Sequence, residues 1–288
     1  MIGAHGLVWS GAFDAEGVAH AARHAVDCGY DLLELPLLDP HGFDVAGAKR
    51  VLSPLDLQIS ASMGLPMGSD ISSDDRDEVA RGEAVLDRAL DILGELGAQH
   101  LCGVLYGVLR KYPGPASARG RANSQEVLGR IADRAASLGI TISLEVVNRY
   151  EANLFNTAGG ALAYLDEIDA SNIKIHLDTY HMNIEESDLF TPVLRAGERL
   201  GYVHIGECHR GYLGTGTVGF DAFFRALREV GYSGPITFES FSTAVVDPVL
   251  SRSLAIWRNL WEDGDDLARH ANAFMRNKLR AVETLELH

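Results

Sequence analysis

Four short segments each end a β-type apolar run on one side chain that can ligate a metal. They are Ile142-Ser143-Leu144-Glu145, Ile175-His176-Leu177-Asp178, Tyr202-Val203-His204 and Ile236-Thr237-Phe238-Glu239. The gaps between the terminal residues are 33, 26 and 35 (178 − 145, 204 − 178, 239 − 204), the length of one strand-plus-helix unit. The spacing therefore predicts four side chains at the same end of four neighbouring parallel strands. Three carboxylates and one imidazole converging there make a divalent-metal site of hard character, suited to Mn²⁺, Mg²⁺ or Co²⁺ rather than to a closed structural zinc. One such residue alone reads equally well as a helix cap. Four on successive units point to a shared centre.

Three charged residues follow the ligands within a few positions: Glu151 after Glu145, His181 after Asp178 and Arg210 after His204. Loops beyond strand ends line the mouth of a site. Glu, His and Arg there can hydrogen-bond the hydroxyl and carbonyl oxygens of a polyol. The glycine-rich run Gly211-Tyr212-Leu213-Gly214-Thr215-Gly216 behind Arg210 suits close backbone approach or a moving lid. Glu145 and Glu239 can do more than ligate. Two carboxylates on opposite faces of a substrate can remove a proton from carbon and return one from the other side, while a metal stabilises the charge that develops on oxygen. His5, Trp9, Tyr106 and Phe241 lie near strand ends as candidate pocket residues, with core packing an equal alternative. Trp257 and Trp261, four apart, are expected to pack a helix on the barrel.

The elements that must position these residues alternate throughout. Strands are predicted near 2–9, 31–35, 57–63, 100–105, 141–145, 173–178, 201–205 and 235–239. Helices are predicted near 14–28, 44–53, 74–97, 118–138, 158–169, 187–200, 220–230 and 248–262. Thr157, Ser187 and Asp247-Pro248 are the expected helix starts, and Gly29, Gly97, Gly139 and Gly231 the expected helix stops. Eight strand–helix units predict an α/β (β/α)8 TIM barrel. A doubly wound open sheet is the alternative, but Trp9-Ser10-Gly11-Ala12-Phe13 after the first strand is no phosphate-binding turn. The expected organisation is one domain: a barrel over about 1–262, then a helix over about 264–288 outside the barrel or at a subunit contact.

The chain has 288 residues and a net charge of −15. Such acidity disfavours nucleic acid and anionic membranes as partners and suits a small neutral substrate. Cys28, Cys102 and Cys208 are isolated, as in a reducing compartment. With no basic-then-apolar start and no long apolar stretch, the expected location is cytoplasmic.

Ser143–Glu151, His176–Glu186, His204–Glu207, His209–Gly211 and Phe238–Phe241 resemble the ketose 3-epimerases of D-tagatose, D-allulose (D-psicose) and L-ribulose, which are xylose-isomerase-like TIM barrels. The resemblance runs from His5-Gly6-Leu7-Val8-Trp9 to Ile256–Trp261. It implies that Glu145, Asp178, His204 and Glu239 bind one Mn²⁺, Co²⁺ or Mg²⁺, which the ketose chelates through O2 and O3. It implies that Glu145 and Glu239 exchange the C3 proton on opposite faces through a cis-enediolate. Glu151, His181 and Arg210 would hold O1 and O2, and the protein would be a homodimer or homotetramer. Two positions depart from the pattern: Cys208 stands where Ser is expected, and Gly219 where an acidic residue is usual. The other readings are an aldose–ketose isomerase on the same barrel, a non-catalytic sugar-binding barrel, and a phosphodiesterase, which would need more ligands and a basic groove.

Overall fold

The computed structural model describes residues 1–246 and 248–285. Its strands are β1 (Ile2–His5), β2 (Leu32–Pro36), β3 (Gln58–Leu65), β4 (His100–Val108), β5 (Thr141–Glu145), β6 (Ile173–Asp178), β7 (Leu200–Ile205) and β8 (Ile236–Phe238). They pair in parallel in chain order, and β8 closes on β1. The helices are α1 (Ala15–Asp27), α2 (Val45–Leu52), α3 (Arg76–Leu96), α4 (Ala118–Ser137), α5 (Ala158–Leu165), α6 (Thr179–Glu185), α7 (Thr191–Ala196), α8 (Phe220–Glu229), α9 (Pro248–Ser253) and α10 (Gly264–Glu283). The chain is a TIM barrel, as its alternating pattern predicts. Among the described residues no helix is long and apolar enough to cross a membrane.

The local chemistry explains most boundaries. Thr157 caps α5 by accepting from the Gly160 amide. Gly29, Gly97, Gly139 and Gly231 all take the left-handed conformation expected of helix stops. On α8 the residues Phe220, Phe223, Phe224 and Leu227, spaced i, i+3, i+4 and i+7, form one buried stripe against the barrel. Inside the barrel, Tyr202 anchors a polar knot: its hydroxyl lies 2.7 Å from Ser60 Oγ, 2.9 Å from Thr237 Oγ1 and 2.8 Å from Glu34 Oε2.

Four expectations need correction. The first strand stops at His5 rather than near residue 9, because the His5 ring accepts from the Leu7 amide and caps a 3₁₀ turn over Gly6–Val8. The predicted 187–200 helix is α7 alone, followed by a short 3₁₀ turn. Asp188, not Ser187, accepts the Phe190 and Thr191 amides at its start. The 248–262 pattern is helical only over α9; Asp247 lies outside the described residues. Trp257 is 72% exposed, whereas Trp261 is buried with its indole N–H on Ser240 Oγ, so the two do not form the expected packing pair. The C-terminal helix α10 lies outside the strand barrel, as expected. It packs on α8, β1 and β8, donates Asn272 Nδ2 to the carbonyls of Cys28 and Gly29, and takes the Tyr30 hydroxyl on its Ala268 carbonyl. It fills the outer-ring position that short α9 leaves open. Residues 286–288 of the predicted helix lie outside the described residues.

Candidate metal centre and active site

Glu145 and Asp178 end β5 and β6, His204 lies one residue before the end of β7, and Glu239 immediately follows β8. Strand registry sets Asp178 directly beside His204. One ligand atom from each of the four lies within 4.8 Å of all the others. All four are buried, at 9%, 0%, 1% and 7% exposure respectively. Asp178 divides its oxygens: Oδ1 caps α6 through the Tyr180 amide at 2.8 Å. Its Oδ2 is paired with the Arg210 guanidinium, whereas His204 Nδ1 is buried without a hydrogen bond. An unsatisfied buried polar atom is costly, and this nitrogen faces the carboxylates of Glu145 and Glu239. Three oxygens and an imidazole nitrogen so placed fit a hard divalent ion.

A residue that the sequence pattern does not single out orients the imidazole. Glu34 on β2 is fully buried, and its Oε2 lies 2.8 Å from His204 Nε2. A ligating histidine commonly holds its second nitrogen this way, fixing the tautomer and raising ligand basicity. The available signal was one acid inside the apolar run Leu32-Leu33-Glu34-Leu35, since a buried charge must find a partner. Burial disfavours charge on His204, but Glu34 and Glu239 outweigh it and raise its pKa well above the usual imidazole value. Burial and the charge of Glu239 push the Glu145 carboxyl up, against His181. Burial acts the same way on Glu239, but Arg210 and His204 overcome it and hold that carboxyl well below its usual range.

The three loop residues come to the same place. Arg210 Nη2 lies 3.0 Å from Asp178 Oδ2, and Nη1 lies 2.7 Å from Glu239 Oε2. Its guanidinium also stacks over Tyr180, 4.0 Å from the ring centre. Arg210 has φ +59°, a left-handed conformation that costs about 1–2 kcal/mol for a non-glycine residue. Glu207 holds the loop in this shape by accepting from the amides of Cys208, Gly214 and Val218. His181 Nε2 lies 3.4 Å from Glu145 Oε1 and 4.0 Å from Glu151 Oε2. Its Nδ1 accepts from the Asn148 amide, which places the ring proton on Nε2, toward the carboxylates. Asn148, a second residue missed in the sequence, also donates its side-chain amide to Glu151 at 2.8 Å. Its clue was its place between Glu145 and Glu151.

Of these side chains, Glu145, Glu151, His181, His204, Arg210 and Glu239 line a cavity of about 280 Å³, and Asp178 is not among its lining residues; small-ligand pockets run from ~300 to 1,000 Å³. His5 and Phe241 line it. Trp9 and Tyr106 are not among its lining residues. The Trp9 indole instead binds Asp265, and the Tyr106 hydroxyl donates to the Glu145 carbonyl at 2.9 Å, holding the end of β5. The remaining walls are largely apolar, with Leu7, Pro36, Met63, Leu65, Val108 and Leu109 among them. Of the two departures, Cys208 is half-buried beside Arg210, and Gly219 starts α8 without a side-chain cap.

Known proteins resemble this chain in fold and sequence. The model of the xylose isomerase-like TIM barrels matches residues 22–278. A ketose 3-epimerase of Arthrobacter globiformis is 58% identical over 287 residues, covering 100% of this chain and 99% of the relative. An L-ribulose 3-epimerase of Methylomonas sp. is 54% identical, with 96% of each chain covered. The crystal structure of a D-allulose 3-epimerase from Methylomonas sp. in complex with D-allulose superposes with a TM-score of 0.94 at 54% identity, covering 96% of both chains.

Proposed function

The chain belongs to the xylose isomerase-like TIM barrels and, within them, to the ketose 3-epimerases, and on that premise we propose a metal-dependent inversion of free ketoses at C3. The substrates belong to the D-fructose/D-allulose, D-tagatose/D-sorbose and L-ribulose/L-xylulose pairs. The observation that carries this reading is the convergence of Glu145, Asp178, His204 and Glu239 within 4.8 Å, three of which (Glu145, His204 and Glu239) line the cavity.

Glu145, Asp178, His204 and Glu239 are the residues that would hold the ion. A divalent ion, Mn²⁺, Co²⁺ or Mg²⁺, supplies Lewis acidity toward the oxygens of the sugar when bound. Glu145 ends β5 and Glu239 follows β8, and the two would flank the reacting carbon. One carboxylate takes the C3 proton, leaving an enediolate; the other, protonated, returns a proton to C3 from the opposite face. The two carboxyls thereby exchange protonation states, and solvent resets them. His181, with its proton on Nε2, and Arg210 donate to O1 and O2, where negative charge builds up. Glu151 accepts from a sugar hydroxyl. The apolar wall excludes water and selects by shape.

The test is a panel of the six ketoses with each metal, followed by chromatography of the products. Formation of the C3 epimer that stops on chelation and returns with added Mn²⁺ is the expected result. No epimer from any ketose would refute the proposal.

A further inference from the structure

One layer below the carboxylates lies a second set of donors. His176 precedes Asp178 by two residues on β6, so its side chain points to the same face of the strand, one step deeper. Cys102 on β4 and His204 on β7 meet it there, with one donor atom from each within 4.8 Å of the others. Cys102 and His176 are 0% exposed and His204 is 1% exposed. Both ring nitrogens of His176 are buried without a hydrogen-bond partner, although leaving such an atom unsatisfied costs about 1–3 kcal/mol. The His176 ring stands edge-on to His204, with centroids 4.1 Å apart. Neither Cys102 nor His176 has a part in the chemistry above. An apolar pair would fill the space without that cost.

A thiol and two imidazoles suit soft or borderline cations and are poor ligands for Mg²⁺ or Mn²⁺. We infer that Cys102, His176 and His204 form a second, deeper cation site, selective for a thiophilic ion of the Zn²⁺ or Cd²⁺ class. Binding forms a metal–sulfur bond and releases the Cys102 proton to solvent, with no change in oxidation state. His204 is common to both donor sets. A thiophilic ion below therefore competes for the imidazole that a hard ion above requires. The inference stands whether or not the chain epimerises sugars, because its test reads a bond to sulfur and not turnover.

The full chain, stripped of metal, is titrated with Cd²⁺ while the ultraviolet sulfur-to-cadmium charge-transfer band is recorded. The expected result is a band that saturates at one ion per chain, persists in Cys208→Ala and is lost in Cys102→Ser. Far-UV circular dichroism checks the fold of each variant. The chain has three cysteines, so the double variant Cys28→Ala/Cys208→Ala leaves Cys102 as the sole thiol and decides the matter even if Cys102→Ser fails to fold. A band in the double variant supports the site. Its absence there, or its survival in folded Cys102→Ser, overturns the proposal.

Discussion

The two halves of the barrel contribute different things to one cavity. Strands β5 to β8 and the loops beyond them bring Glu145, His204, Glu239, Glu151, His181 and Arg210 to it, with Asp178 in the same ligand cluster. Strands β1 to β4 bring mainly Leu7, Pro36, Met63, Leu65, Val108 and Leu109, with His5 and Ser62 as polar exceptions. The charge comes from the second half, and the apolar wall comes mainly from the first, with Val147, Phe241, Leu250 and Leu254 added by the second. The proposed function assigns proton movement and metal ligation to the second half, and discrimination among sugars to the first. Glu34 crosses the divide: it stands on β2 and acts on His204 of β7.

Substitutions that break this division should rank by which half they strike. The largest effect belongs to Glu239→Gln or Glu145→Gln. Steady-state assays should show kcat lower by about 10²–10⁴-fold, the contribution of a general acid or base, with a smaller change in KM. Next comes Glu34→Gln, which keeps the shape but removes the negative charge beside His204 Nε2. Calorimetric Mn²⁺ titration should show affinity weakened by about 10–100-fold. If Glu34 belonged only to the shape-giving half, affinity would not change. On the apolar wall, Leu109→Ala should leave metal affinity intact and alter the ratio of kcat/KM between a pentulose and a hexulose. The change should fall within about 1–3 kcal/mol, or 10–200-fold, as one hydrophobic contact allows. The smallest effect lies outside both halves of the cavity. Arg130 pairs with Glu83 between α4 and α3 at 2.7 Å, with Arg130 55% exposed. Arg130→Ala should lower stability by about 0.2–1 kcal/mol in urea unfolding and leave activity untouched.

The charged half was legible because strand-end ligands recur at the interval of the β/α unit, a one-dimensional signal. The convergence of Glu145, Asp178, His204 and Glu239 follows from that interval once the barrel closes. Glu34 and Asn148 were not legible, because their roles depend on partners 170 and 33 residues away. Periodicity carries no information about which residues meet across a barrel. The eighth helix was misplaced for a related reason. The apolar spacing over 248–262 and that over 264–283 both read as helix. Only packing against α8, β1 and β8 decides that α10 occupies the outer ring. Trp257 illustrates the same limit: its spacing from Trp261 suggests a shared face, yet the chain leaves the helix at Ser253 and exposes it.

The most direct measurement of the central claim is the position of solvent hydrogen in the product. A ketose is incubated with the Mn²⁺-loaded protein in D₂O, and both epimers are examined by NMR. Inversion by Glu145 and Glu239 predicts deuterium at C3 and nowhere else, appearing in step with the epimer. Deuterium at C1 or C2, or an epimer formed with C3 still carrying its original hydrogen, would contradict it.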